Sequence, residues 1–271
     1  MRKHKAALLA LLLVPMVFLV NCQLDRPTDS GQAQTGPNNV LGLLTNAADG
    51  QPLVSAMVTV DGPVTRSVNT DAAGQYAVNE LPDGTYRTTA TTAGFIPLTK
   101  VVTLNDTTVS VNFVLSEGLS ENEYRFVLSW ASTPSDLDAH LWSGDYHIYY
   151  GSTGAAASEP FIFLDVDDRS SYGPETITIG QLSNTCQFAV HNFSGQGGGD
   201  TPLTGSDAHI DIYQGSTRIA YYDVPTSGSG VWWYVCDLNA NGSITTRNVL
   251  SADPPATVSP ALTTGLVAKS R

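Results

Sequence analysis

The chain has 271 residues, 13 of them basic and 25 acidic, for a formal net charge of −12 and an isoelectric point near 4.6. That balance argues against nucleic-acid partners, whose phosphates attract basic surfaces, and it leaves carboxylates free for divalent cations. With 42% hydrophobic residues the chain can fill packed cores, and its length suits two ordinary domains.

Residues 1–21 open with Arg2, Lys3 and Lys5, followed by the apolar run Ala6 to Val20, broken only by Pro15. This is the layout of a secretory signal, and the run is shorter than the roughly 20 apolar residues a permanent span needs. Leu19-Val20-Asn21-Cys22 resembles the lipobox of bacterial lipoproteins, although Asn21 stands where a small residue is usual. The resemblance implies acylation of Cys22 and attachment to a membrane. Gln23 in place of Asp points to the outer membrane, with the periplasmic or surface face open. An ordinary signal peptide cut nearby is the alternative. Removing residues 1–21 leaves 10 basic against 25 acidic residues, a net charge of −15.

Residues 22–37 are polar and rich in Gly, Pro, Ser, Thr, Gln and Asp, which reads as a flexible tether. Beyond it helical period is nearly absent. Short alternating runs such as Met57-Val58-Thr59-Val60 are separated by Asp-Gly, Gly-Ser and Pro-Asp-Gly turns, so the expected fold is all-β, two tandem β-sandwiches. In residues 38–116, Asp49-Gly50-Gln51-Pro52 precedes a strand through Ala56, Val58 and Val60. Asp71 and Gly74 supply a turn before Tyr76, and Leu81-Pro82-Asp83-Gly84 turns into Tyr86, with Gly94 further on. This pattern resembles the carboxypeptidase regulatory-like domain, a small β-sandwich classed with carbohydrate-binding-like folds. The family name comes from an accessory module, so the resemblance implies no peptidase activity. His140, His147, His191 and His209 show no H-x-x-E or H-E-x-x-H spacing that would place two ligands on one metal.

Residues 121–250 form the second expected unit, and 251–271 a disordered tail containing Pro254, Pro255 and Pro260. In an extended strand Asp136, Asp138 and His140 project to one side and Leu137, Ala139 and Leu141 to the other. A second acidic cluster follows at Asp165, Asp167 and Asp168, where Asp165 and Asp167 would share a face, and Glu175 lies just beyond. Calcium takes six to eight oxygen ligands, so these six acids are candidate ligands for a site assembled by the fold. Solvated strand faces in an acidic chain would look the same, and both readings stay open. The stretches Ser135-Asp136-Leu137-Asp138, Leu164 to Asp168 and Tyr172 to Ile177 resemble the YfaP-like family of exported bacterial proteins, for which the resemblance implies no particular chemistry.

No catalytic residue is expected. Asp136 with Glu175 is only a formal glycosidase pair, and His191 with Ser194 lacks a G-x-S-x-G elbow. Trp232 and Trp233 are neighbours on one strand, so one is expected in the core and the other outside, where it could stack on a sugar or cover the sheet. If Cys22 is acylated, Cys186 and Cys236 remain as a pair for a disulfide, or as two buried thiols. The functional expectation is a noncatalytic, membrane-anchored binding or envelope-structural protein, directed to glycan or protein and stabilised by calcium. An accessory subunit of an envelope hydrolase or secretion system is the alternative.

Overall fold

The structure, a computed structural model, describes residues 36–255. The signal segment 1–21, Cys22, the tether apart from its last two residues, and tail residues 256–271 lie outside the described residues. Among the described residues the chain is all-β, with 19 strands and one 3-10 turn at Leu203–Gly205.

The first sandwich contains β1 (Asn38–Asn46), β2 (Met57–Asp61), β3 (Thr65–Asn69), β4 (Gln75–Leu81), β5 (Gly84–Thr91), β6 (Leu98–Leu104), β7 (Thr108–Ser110) and β8 (Phe113–Leu115). One sheet runs β4-β1-β7, with β8 also paired to β1, and the other runs β3-β2-β5-β6. Strand β1 is antiparallel to β4 but parallel to β7 and β8. Alternation builds the core: along β4, Tyr76 and Val78 turn inward while Gln75, Ala77 and Asn79 face water. The turn before β4 forms as its residue types dictate. Asp71 Oδ1 accepts the N–H groups of Ala73 and Gln75 at 2.9 and 2.8 Å, and Gly74 sits at φ +73, where a Cβ would stand 2.6 Å from the Leu44 carbonyl oxygen.

The second sandwich contains β9 (Tyr124–Ser129), β10 (Leu137–Ser143), β11 (Tyr146–Ile148), β12 (Gly154–Ala155), β13 (Ile162–Val166), β14 (Glu175–Ile179), β15 (Cys186–Asn192), β16 (His209–Gln214), β17 (Thr217–Asp223), β18 (Trp232–Leu238) and β19 (Ile244–Ser251). A five-stranded sheet, β11-β10-β15-β18-β19, packs on a six-stranded one, β12-β13-β14-β9-β16-β17. Between them lie Phe126, Leu128, Leu137, Leu141, Ile177, Phe188, Ile210 and Trp233, all fully buried. Phe126 stacks on Phe188 with ring centroids 4.6 Å apart, and burial of each such side chain contributes about 1.5–3 kcal/mol. The last strand takes in Ser251, so that residue belongs to the fold rather than to the expected tail.

A small cluster of Ala47, Val114, Val127 and Tyr213 joins the two sandwiches. Arg125 lies across this seam, its Nη1 donating to Ser116 Oγ at 3.1 Å and its Nε to Thr178 Oγ1 at 2.9 Å.

The expected disulfide is not formed: Cys186 and Cys236 are free, fully buried thiols. They lie on adjacent strands, but the register pairs Cys186 with Leu238 and Phe188 with Cys236. The cysteines are therefore diagonal neighbours, roughly 7–8 Å apart at Cα, beyond the roughly 4.4–6.8 Å that a disulfide spans. Burial pushes both thiols up, to about 11 and about 12, so they stay protonated and unreactive.

Candidate functional site

Strand β10 is paired with β15 along its whole length but with β11 only from Leu141 to Ser143. Its first half therefore presents an open edge at one end of the sandwich. Backbone N–H groups on such an edge need acceptors. Glu175 supplies one. It begins β14 on the face that also carries Ile177 and Ile179, so its side chain enters between the sheets, and Oε2 accepts the Ala139 N–H. Gly173 brings the chain into this position at φ +76, where a Cβ would be 2.9 Å from both the Leu128 carbonyl oxygen and the Trp130 ring.

The acids converge at this open edge. Ligand oxygens of Asp138, Asp167 and Glu175 all lie within 4.8 Å of one another. Glu175 and Asp138 are buried, at 0% and 2% exposure, while Asp167 reaches in from solvent just after β13. Among the described residues, Glu175 Oε1, Asp138 Oδ2 and Asp136 Oδ1 are buried without a hydrogen-bond partner. Charged oxygens crowded in this way disfavour ionisation. Burial, and then the neighbouring Asp138, pushes the Glu175 carboxyl well above the usual range, and the same two causes push Asp136 up to about 6. Asp167 is also raised, chiefly by burial. A divalent cation here would replace protons, satisfy the unpartnered oxygens and remove the repulsion.

The remaining two candidates stand apart. Strand β13 carries a register shift between Leu164 and Val166, so Asp165 occupies a bulge and the expected shared face with Asp167 is lost. Asp165 turns instead toward Arg125, 3.8 Å from Nη2, and burial raises its carboxyl to about 6. Asp168 closes a local turn, accepting from the Ser170 N–H and hydroxyl, both at 2.7 Å. The sequence grouped six acids, and the fold assembles three with Asp136 beside them.

On the outer face of the five-stranded sheet the structure places a cluster that sequence spacing missed. Asp138, His140 and Trp142 alternate outward from β10, opposite the core-facing Leu137, Ala139 and Leu141. Register brings Asp138 opposite His191 of β15, with Oδ2 3.6 Å from Nδ1. Ligand atoms of Asp138, His140 and His191 also lie within 4.8 Å of one another, so Asp138 is common to both groups. His140 Nδ1 is 2.8 Å from His147 Nε2, whereas His140 Nε2 is buried without a partner among the described residues. Burial, followed by the neighbouring imidazoles, pushes His140 down to about 3, so it is neutral at physiological pH. Alternation along β10 was legible, but the register that joins two histidines 51 positions apart was not.

Aromatic rings hold these imidazoles. Trp232 stacks on His191 at 4.2 Å and meets His140 edge-on at 4.7 Å, while Trp142 and Tyr149 stack on His147 at 4.4 and 4.3 Å. Its neighbour Trp233 is in the core, with Nε1 donating to Asn248 Oδ1 at 2.8 Å. Of the two tryptophans only Trp232 is therefore on the outer face, and there it forms part of the histidine cluster. Exposed Tyr150 and Phe193 extend the rings at the margin.

No curated protein matches the chain. Among solved structures, those with some similarity to the chain include a homologue of the telluride resistance protein TerD from Streptomyces coelicolor, 15% identical, covering 49% of this chain and 92% of that one at a TM-score of 0.37. A candidate carbohydrate binding protein from Bacteroides uniformis is 12% identical over 70% of this chain and 97% of its own, at a TM-score of 0.27. The major pilin subunit of Bacillus cereus is 12% identical over 78% of this chain and 66% of its own, also at 0.27. In the first sandwich, residues 39–116 match the family model of the carboxypeptidase regulatory-like domain.

Proposed function

We propose that this chain is a noncatalytic binding or structural protein of the bacterial envelope, anchored through an acylated Cys22, with a second, YfaP-like sandwich that calcium stabilises. The observation that carries the calcium reading is Glu175, a fully buried carboxyl that has one oxygen, Oε1, without a hydrogen-bond partner among the described residues and that groups with Asp138 and Asp167, their ligand oxygens within 4.8 Å of one another. Asp136 stands beside the three and supplies a fourth carboxylate. Hard oxygen donors of this kind suit calcium, with loop carbonyls and water completing the shell.

The same geometry speaks against the formal catalytic pairs. Glu175 is inaccessible to a glycosidic oxygen and already accepts the Ala139 N–H. Ser194, the formal nucleophile, is hydrogen-bonded to the Asp136 backbone, its Oγ accepting the N–H at 3.2 Å. Binding to a glycan or an envelope protein would use the aromatic margin around Trp232, Tyr150 and Phe193. An accessory subunit of an envelope hydrolase or secretion system is the alternative use of the same surface.

Added calcium is expected to raise the melting temperature of the chelator-treated protein, and Asp138→Asn with Asp167→Asn to abolish the rise. No rise in the parent protein would refute the calcium reading. For the anchor, a palmitate analogue is expected to label the parent and not Cys22→Ser. For the surface, glycan-array or cell-wall binding that survives Trp232→Ala would exclude the aromatic margin.

A further inference from the structure

The neighbouring histidine group calls for a different metal chemistry, which goes beyond the calcium reading. We propose that His140, His191 and Asp138 form a second site, for a transition-metal ion of the zinc class, sharing Asp138 with the carboxylate site.

The donor set separates the two. Calcium is bound by oxygen, whereas imidazole nitrogen favours zinc and its first-row neighbours, and two histidines with one carboxylate leave a fourth tetrahedral position for water. A tetrahedron with bonds of about 2.1 Å has edges of roughly 3.4 Å. His191 Nδ1 and Asp138 Oδ2 already stand 3.6 Å apart, and the three ligand atoms lie within 4.8 Å. Small side-chain rotations close that distance.

The independent observation is His140, 4% exposed, whose Nε2 is buried without a hydrogen-bond partner among the described residues. Its other nitrogen is 2.8 Å from His147 Nε2. A histidine that ligates through one nitrogen characteristically donates from the other, which fixes its tautomer and ring plane. With Nδ1–H donating to His147, the Nε2 lone pair is left for the metal. In the opposite tautomer Nε2–H would be a buried donor with nothing to receive it, at a cost of about 1–3 kcal/mol. The stacked rings of Trp232, Trp142 and Tyr149 restrict the imidazoles to these orientations. Such restriction lowers the entropy lost on binding.

The test uses the chelator-stripped protein titrated with zinc chloride, with Co²⁺ as the optical probe. The parent is expected to bind one equivalent of zinc and to give the intense visible absorption of tetrahedral Co²⁺ with nitrogen ligands. His140→Gln and His191→Gln should each weaken zinc binding at least 100-fold while keeping the calcium-induced rise in melting temperature, which certifies their fold. Glu175→Gln should do the reverse. Asp138→Asn should impair both. No zinc binding by a parent that still responds to calcium would overturn this site alone, and a parent that binds zinc but shows no calcium response would overturn the carboxylate site alone. Zinc binding that both histidine variants retain would overturn the histidine site. If a variant does not fold, the parent's cobalt spectrum decides, because octahedral, oxygen-only absorption contradicts the histidine ligands.

Discussion

Replacing Glu175 by Gln puts a neutral amide in place of a carboxyl that can ionise while keeping an oxygen that can accept the Ala139 N–H. In chelator the variant should melt at or above the parent temperature. The parent carries a carboxyl that burial and Asp138 drive well above its ordinary range, and the amide imitates its protonated form without the repulsion. Calcium reverses the order. At 100 times its dissociation constant a ligand contributes about 2.7 kcal/mol, which for a sandwich of this size raises the parent melting temperature by roughly 10 °C. The variant should rise by a small part of that. Glu175→Ala is the control for local structure, because it strands the Ala139 N–H on the open edge of β10 and costs about 1–3 kcal/mol already in chelator, beyond its loss of the calcium-induced rise. Scanning calorimetry of the three proteins, each with chelator and with calcium, reads all of these quantities. A calcium-induced rise in Glu175→Gln equal to that of the parent would falsify the assignment.

Asp136 gives a pH prediction. Its carboxyl sits at about 6 in the fold against an ordinary 3.8, so the fold favours the protonated form, and that contribution is present below about 3.8 and lost as pH rises through 6. In chelator, Asp136→Asn should match the parent near pH 4 and be the more stable by pH 7; an advantage that is constant with pH would contradict the shift. Phe188→Ala removes a fully buried ring stacked on Phe126 and should cost the second sandwich about 3–5 kcal/mol in denaturant unfolding, whereas a cost below about 1 kcal/mol would refute that core. Cys186 and Cys236 should be silent to a thiol reagent in the native protein and both react in denaturant, and reductant should leave the melting temperature unchanged.

Regular strands made most of the fold legible. Turn residues at Asp71 and Gly74 and alternation along β4 and β10 are local properties, and the strand faces follow from them. What could not be read depends on register and bulges. The bulge at Asp165 separates it from Asp167, and the offset of β15 against β18 keeps two cysteines diagonal. Cross-strand pairing, which no motif spacing records, brings His191 to Asp138 and so beside His140. Glu175 could be nominated from its neighbours in sequence, but its depth follows from facing the core, where its charge has no compensating cation among the described side chains.

The most direct measurement is isothermal titration of chelator-stripped protein with calcium, run on the parent, Glu175→Gln and His140→Gln. Binding of one calcium by the parent and by His140→Gln, and its loss in Glu175→Gln, is the result expected if Asp138, Asp167 and Glu175 form the site. Absence of calcium binding by the parent, or equal binding by Glu175→Gln, would contradict it.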